Sequence, residues 1–144
     1  MIFVLDTNVH VGTATISQGP YGPIEQARRA GKFTQAVSEP ILKEYKHVFL
    51  KPAMRDVHKM SEADVEQYID NLRDGSIVTP GKVKVNAVKD DPHDNKFLAC
   101  AIEANADAVV SGDHHLLDLK TFRNIPIITP GHYIDHLIQT KQPR

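Results

Sequence analysis

The sequence predicts an α/β fold: one domain built on a central parallel sheet of four to five strands, with helices on both faces. Two observations carry this. Short apolar runs rich in β-branched residues alternate along the chain with segments of helical periodicity, as a strand–helix–strand architecture requires. The 144 residues, 41% of them hydrophobic, suit one core, and neither a repeat nor an interdomain linker divides them. The expected domain spans residues 1–138, followed by a polar tail over 139–144.

Met1-Ile2-Phe3-Val4-Leu5 reads as a buried strand that ends in Asp6-Thr7-Asn8. Residues 13–23, with Gln18-Gly19-Pro20-Tyr21-Gly22-Pro23 among them, hold too many breakers to be helical throughout. A helix is expected from Ile24 to Ala30, closed by Gly31, and then a strand from Phe33 to Val37. Ser38 and Pro40 open the next helix, which Pro52 helps to stop. In that helix Ile41, Glu44 and Val48 are three and four apart, so the Glu44 carboxylate shares a face with apolar neighbours.

Ser61-Glu62-Ala63-Asp64 announces a helix with Val65, Tyr68, Ile69 and Leu72 as its stripe and Gly75 at its end. Ile77-Val78-Thr79 reads as a strand or a sheet edge, and residues 82–89 as a polar connection in which strand and loop are hard to separate. Asp91-Pro92-His93-Asp94 opens another helix, Asp91 placed to cap it and Asp94 beginning the stripe that continues through Phe97, Leu98 and Ala101. A strand at 108–111 leads through Gly112 to Asp113. A short helix around Leu116, Leu117 and Leu119, a strand over 125–129 and a helix from Tyr133 to Ile138 complete the pattern.

Four acids, Asp6, Glu44, Asp94 and Asp113, thus each stand where sheet meets helix. Ligands of parallel sheets bind beyond the carboxyl ends of the strands, and local reading places the acids there independently. Singly, each is more often a cap or a solvated residue than a ligand, and capping is the preferred reading of Asp91. Jointly that reading weakens. Gathering carboxylates in a partly buried site costs several kcal/mol unless they bind a cation or take up protons, so at least one pKa should be raised.

Seventeen basic and 18 acidic residues leave net charge silent about nucleic acid. Arg28, Arg29, Lys32, Lys43, Lys46, Lys51, Arg55 and Lys59 are the candidate phosphate contacts, while five Phe, four Tyr and no Trp leave little for base stacking. The lone Cys100 lies in an apolar stretch and reads as a core residue in a reducing, cytoplasmic setting. No stretch reaches the roughly 18 apolar residues of a membrane span, and the apolar start is too short for a signal peptide.

Asp6-Thr7-Asn8 after the first strand, Glu44 in the helix opened by Ser38, Asp91-Pro92-His93-Asp94-Asn95-Lys96-Phe97-Leu98-Ala99 and Ser111-Gly112-Asp113-His114-His115-Leu116-Leu117 together resemble the PIN-domain ribonucleases, in particular the branch of toxin components of bacterial and archaeal toxin–antitoxin pairs. The resemblance runs from Met1 to about Ile138. It implies a metal-dependent endoribonuclease whose acidic quartet, here Asp6, Glu44, Asp94 and Asp113, binds Mg²⁺ or Mn²⁺, with Asn8 and Ser111 in support. It also implies an RNA substrate and an antitoxin partner. The chain departs from the family at His10, often aliphatic there, and at Ser111, often Thr, and Asp113 fills the most variable acidic position.

Hard carboxylate oxygens suit these ions, and the chemistry needs no protein nucleophile. Two other readings stand beside this one. The chain could be an inactive or weakly active binding module with the acids as caps. An aspartyl-phosphate phosphatase is disfavoured, because Asn8 stands where such chemistry needs a second acid. Residues 57–72, with Met60, Val65, Tyr68 and Ile69, are the candidate surface for a homodimer or another chain, or else pack on the domain's own sheet.

Overall fold

The computed structural model describes residues 1–15 and 22–130, with the side chains of residues 22–25 set aside. The helix expected at 133–138, the tail at 139–144 and the middle of the Gly/Pro-rich loop lie outside the described residues.

The sheet has six strands in the order β3-β2-β1-β4-β6-β5. β1 (Ile2–Leu5), β2 (Thr34–Ser38), β3 (Ile77–Thr79), β4 (Ala108–Val110) and β6 (Ile125–Ile128) are parallel, and the two-residue β5 (Thr121–Phe122) adds an antiparallel edge. Alternation along the strands sends side chains to two cores. Val4 and Val109 point to one, against Ile41, Leu42, Tyr45 and Phe49 of α3 (Glu39–Phe49), Val65 and Ile69 of α5 (Glu62–Gly75), and Phe97, Leu98 and Cys100 of α6 (Asn95–Ala104). Phe3, Leu5, Ala108 and Val110 point to the other, against Val9 of α1 (Thr7–Thr15) and Ala27 of α2 (Gly22–Arg29).

Two helices differ from expectation, and a third settles an alternative. α1 runs through Thr15, into the region read as loop, and buries Thr7, Val9, His10, Val11, Gly12 and Thr13, so it lacks the polar face that a periodic pattern would advertise. α4 (Pro52–His58) follows α3 almost at once, since Pro52 both ends one helix and opens the next. The apolar stripe of α5 packs on the domain's own core through Val65 and Ile69, the second of the two expectations for residues 57–72, while most of the segment, Val57 included, stays exposed.

Two side chains hold the connection between β3 and α6. The Glu103 carboxylate accepts the backbone N–H groups of Gly81, Lys82 and Val83 at 3.0, 2.9 and 3.3 Å. Asn95 accepts those of Ala87 and Val88 at 3.1 and 2.8 Å and donates to the Val88 carbonyl at 3.1 Å. These bonds satisfy backbone groups that no sheet ladder reaches, and they bring the following residues, Asp91 included, to the start of α6. No helix among the described residues is long and apolar enough to cross a membrane.

Candidate metal centre at the carboxyl edge of the sheet

From the central β1 the chain moves outward through β2 and β3, then returns to place β4 on the other side of β1. The carboxyl ends of β1 and β4 therefore flank the point where the strand order reverses, which is where open α/β sheets bind ligands. Asp6 follows β1 and Ser111 follows β4.

Asp6 is 5% exposed. Its Oδ1 accepts the Val9 N–H at 2.9 Å, and its Oδ2 accepts the Ser111 hydroxyl. Burial nevertheless outweighs these bonds and raises its pKa, with the Asp113 charge adding to the effect. Ser111, wholly buried, also accepts the Asp113 N–H at 2.9 Å, so one hydroxyl ties the two acids to β4. Asp113 in turn caps α7 (His114–Leu117), its Oδ1 accepting from His115 N at 2.9 Å.

A tight turn, Pro92–Asp94, precedes α6 and aims Asp94 into the same cavity. Asp94 Oδ2 is buried without a hydrogen-bond partner. Burial first, and then the neighbouring Asp113, Asp91 and Asp6, push the Asp94 carboxyl up to about pKa 7. An orphaned oxygen beside other carboxylates is what a cation would satisfy.

The cavity, about 290 Å³, is lined by Asp6, Thr7, Asn8, Glu44, Val48, Asp91, His93, Asp94, Phe97 and Asp113. It brings together all four acids singled out in the sequence, together with Asn8. Two groups, however, depart from expectation. Asp91 makes no capping bond; instead a carboxylate oxygen of Asp91 lies within 4.8 Å of one from Asp94 and one from Asp113. Glu44 has both oxygens engaged, Oε2 by the Thr7 hydroxyl and Oε1 by Lys96 Nζ. The trio best disposed to share a cation is thus Asp91, Asp94 and Asp113, all hard oxygen donors suited to Mg²⁺ or Mn²⁺. Asp113, His114 and His115 also bring ligand atoms within 4.8 Å, but they are consecutive residues and His114 is exposed.

A PIN domain family model matches residues 3–115. The chain belongs to the PIN domain family. In structure this PIN domain is similar to VapBC2 from Rickettsia felis, solved bound to a DNA fragment from its promoter. The TM-score is 0.54 at 17% identity, over 90% of this chain and 98% of that one. At that identity the likeness is one of fold. No curated protein matches the chain.

Thr7 and Lys96 were missed as site residues in the sequence. Both stand inside the motifs of this PIN domain, beside Asp6 and Asp94, but what they do depends on Glu44, which only the fold brings near. His10 is buried away from the acids, stacked on Tyr45 at 4.2 Å between ring centroids, with its ring nitrogens bonded to Gln35 Nε2 at 3.1 Å and Tyr68 Oη at 2.9 Å. Desolvation lowers its pKa to about 3, so it is a neutral core residue in the place of an aliphatic one. Of the basic residues considered as phosphate contacts, Lys46 is paired with Glu66.

Proposed function

We propose that this PIN domain is a Mg²⁺- or Mn²⁺-dependent endoribonuclease of the cytoplasm, the toxin of a toxin–antitoxin pair, with its domain running to residue 138. The observation that carries the chemistry is Asp94: a carboxyl with an orphaned oxygen, held near pKa 7 among Asp6, Asp91 and Asp113 in one cavity. Capping does not account for it, since neither Asp91 nor Asp94 makes a cap bond.

In this reading Asp91, Asp94 and Asp113 hold the cation. When bound, the cation offsets phosphate charge, polarises the phosphoryl group and makes a water molecule acidic enough to attack in line. Asp6, fixed by Val9 and Ser111, keeps further lone pairs on its oxygens and serves as the fourth carboxylate of the set. Glu44, gripped by Thr7, orients water at the cavity wall. Asp94 must lose its proton for the site to load, so loading is linked to proton release.

For the partner, the similar VapBC2 structure supports an antitoxin bound to this chain. A basic side chain of that antitoxin, placed among the carboxylates instead of the cation, would silence the site.

The test is cleavage of a labelled mixed-sequence RNA with Mn²⁺, with excess chelator, and by Asp94→Asn. The expected result is cleavage that chelator abolishes and the variant lacks. Chelator-resistant cleavage, or no cleavage of any RNA by the wild type, overturns the reading.

A further inference from the structure

Glu44 and Lys96 form an ion pair at the wall of the acid cavity, more deeply set than the pairs Lys46–Glu66 and Arg73–Glu39. The Lys96 side chain is only 19% exposed and Glu44 30%, whereas Lys46–Glu66 and Arg73–Glu39 lie further out in solvent. Thr7 fixes Glu44 from one side by donating to Oε2, and Glu44 then fixes the ammonium through Oε1. The same ammonium lies 5.5 Å from the centroid of the Phe97 ring, and Phe97 and Glu44 both line the cavity. A long, flexible cation is thereby held in one place between Glu44 and the Phe97 ring, two residues after Asp94 in the chain.

Charge says what that place is for. Asp6, Glu44, Asp91, Asp94 and Asp113 all line the cavity, so a phosphodiester entering it meets carboxylates on most sides. Lys96 does not itself line the cavity, but its ammonium is held directly on the lining residue Glu44 and beside the lining residue Phe97, which puts a fixed positive charge next to this wall. An ammonium has three N–H donors, and Glu44 takes one. The others are left to donate while the pair stays intact.

We propose that Lys96 binds a phosphate oxygen of the RNA strand at the acid cavity, with Thr7 and Glu44 as the residues that hold it in position. The inference rests on the reading of the site as a ribonuclease and names the contact that seats its substrate. Glu44 is then, besides its place at the water, the support of a substrate-binding lysine, which accounts for the engagement of its Oε1.

The experiment measures binding of a short single-stranded RNA by fluorescence anisotropy with Mn²⁺, in an Asp6→Asn background that prevents turnover, across a series of salt concentrations. Lys96→Met is expected to weaken binding about tenfold and to lower the slope of log affinity against log salt by about one, while Lys96→Arg stays near the parent. Calorimetric Mn²⁺ titration of the same proteins without RNA is the second readout, expected to show metal affinity for Lys96→Met equal to or tighter than the parent. Unchanged RNA affinity and salt slope in Lys96→Met overturn the proposal and leave Lys96 a counter-ion of Glu44. Failure of the ribonuclease reading looks different, since it is the absence of Mn²⁺-dependent cleavage by the wild type.

Discussion

Asp94 lies against Asp113 at the carboxyl edge of the sheet, and burial together with that neighbour keeps a proton on Asp94 up to about pH 7. The folded pKa is thus above the ordinary value of 3.8. A raised carboxyl gives a contribution to stability that is present below the unfolded pKa and lost as pH rises from about 4 through about 7. Asp6, also raised, acts in the same direction. In chelator, Asp94→Asn is therefore expected to raise the melting temperature by a few degrees at pH 8 and by much less at pH 4.5. Calorimetry at the two pH values checks this, and an equal shift at both would contradict the raised pKa.

His10 acts in the opposite direction. Its folded pKa of about 3 lies below the ordinary 6.5, so the unfolded chain binds the extra proton, and stability present above pH 6.5 is lost as pH falls toward 3. His10→Gln gives up the stack on Tyr45 and part of the Gln35–Tyr68 bridge, an expected cost of about 1–3 kcal/mol at pH 7. The gap to wild type is expected to narrow at pH 4.5, because the variant has no proton to exclude. Urea unfolding at both pH values reads it; a gap that stays the same in acid would mean that His10 titrates normally, and one that widens would contradict a lowered pKa.

Ser111→Ala removes the hydroxyl that binds both Asp6 and the Asp113 backbone. Neither acid is lost, yet activity or Mn²⁺ affinity is expected to fall about 10–100-fold, as for other residues that orient ligands. Steady-state cleavage and Mn²⁺ calorimetry measure it. Wild-type values for both would leave Ser111 a packing residue.

Asp6→Asn is expected to abolish cleavage with the fold retained, since the amide can keep an acceptor toward Val9 N and a donor toward Ser111 Oγ. Asp94→Asn is expected to fail as completely, and the double variant no worse than either single one, because the acids act as a unit. Rate constants at saturating Mn²⁺ decide this; additive losses would separate the two acids into independent roles.

What the sequence disclosed follows from the range of the interactions. The capping box of α5 was legible because its two bonds, Ser61 N to Asp64 and Asp64 N to Ser61, both 3.1 Å long, join residues three apart. α1 was not legible as a full helix, since burial on nearly every side erases periodicity. Asp6, Asp94 and Asp113 could be placed from local elements, because strand ends and helix starts gather at one edge of a parallel sheet, and Glu44, in the middle of α3, from the apolar face it shares with Ile41 and Val48. Asp91 was misjudged as a cap for a reason of the same kind: an acid before proline looks like a cap in the sequence, and only the fold shows that it makes no cap bond and lies near Asp94 and Asp113. Lys96 and Thr7 acquire their meaning from Glu44, remote in the chain and adjacent in the fold.

The central claim is that these carboxylates form one divalent-cation site. Anomalous diffraction from a crystal of the protein soaked in Mn²⁺ tests it most directly. The account predicts a peak in the cavity among Asp91, Asp94 and Asp113, and its loss in Asp94→Asn. A peak at His114 and His115 alone, or none at millimolar Mn²⁺, would contradict it.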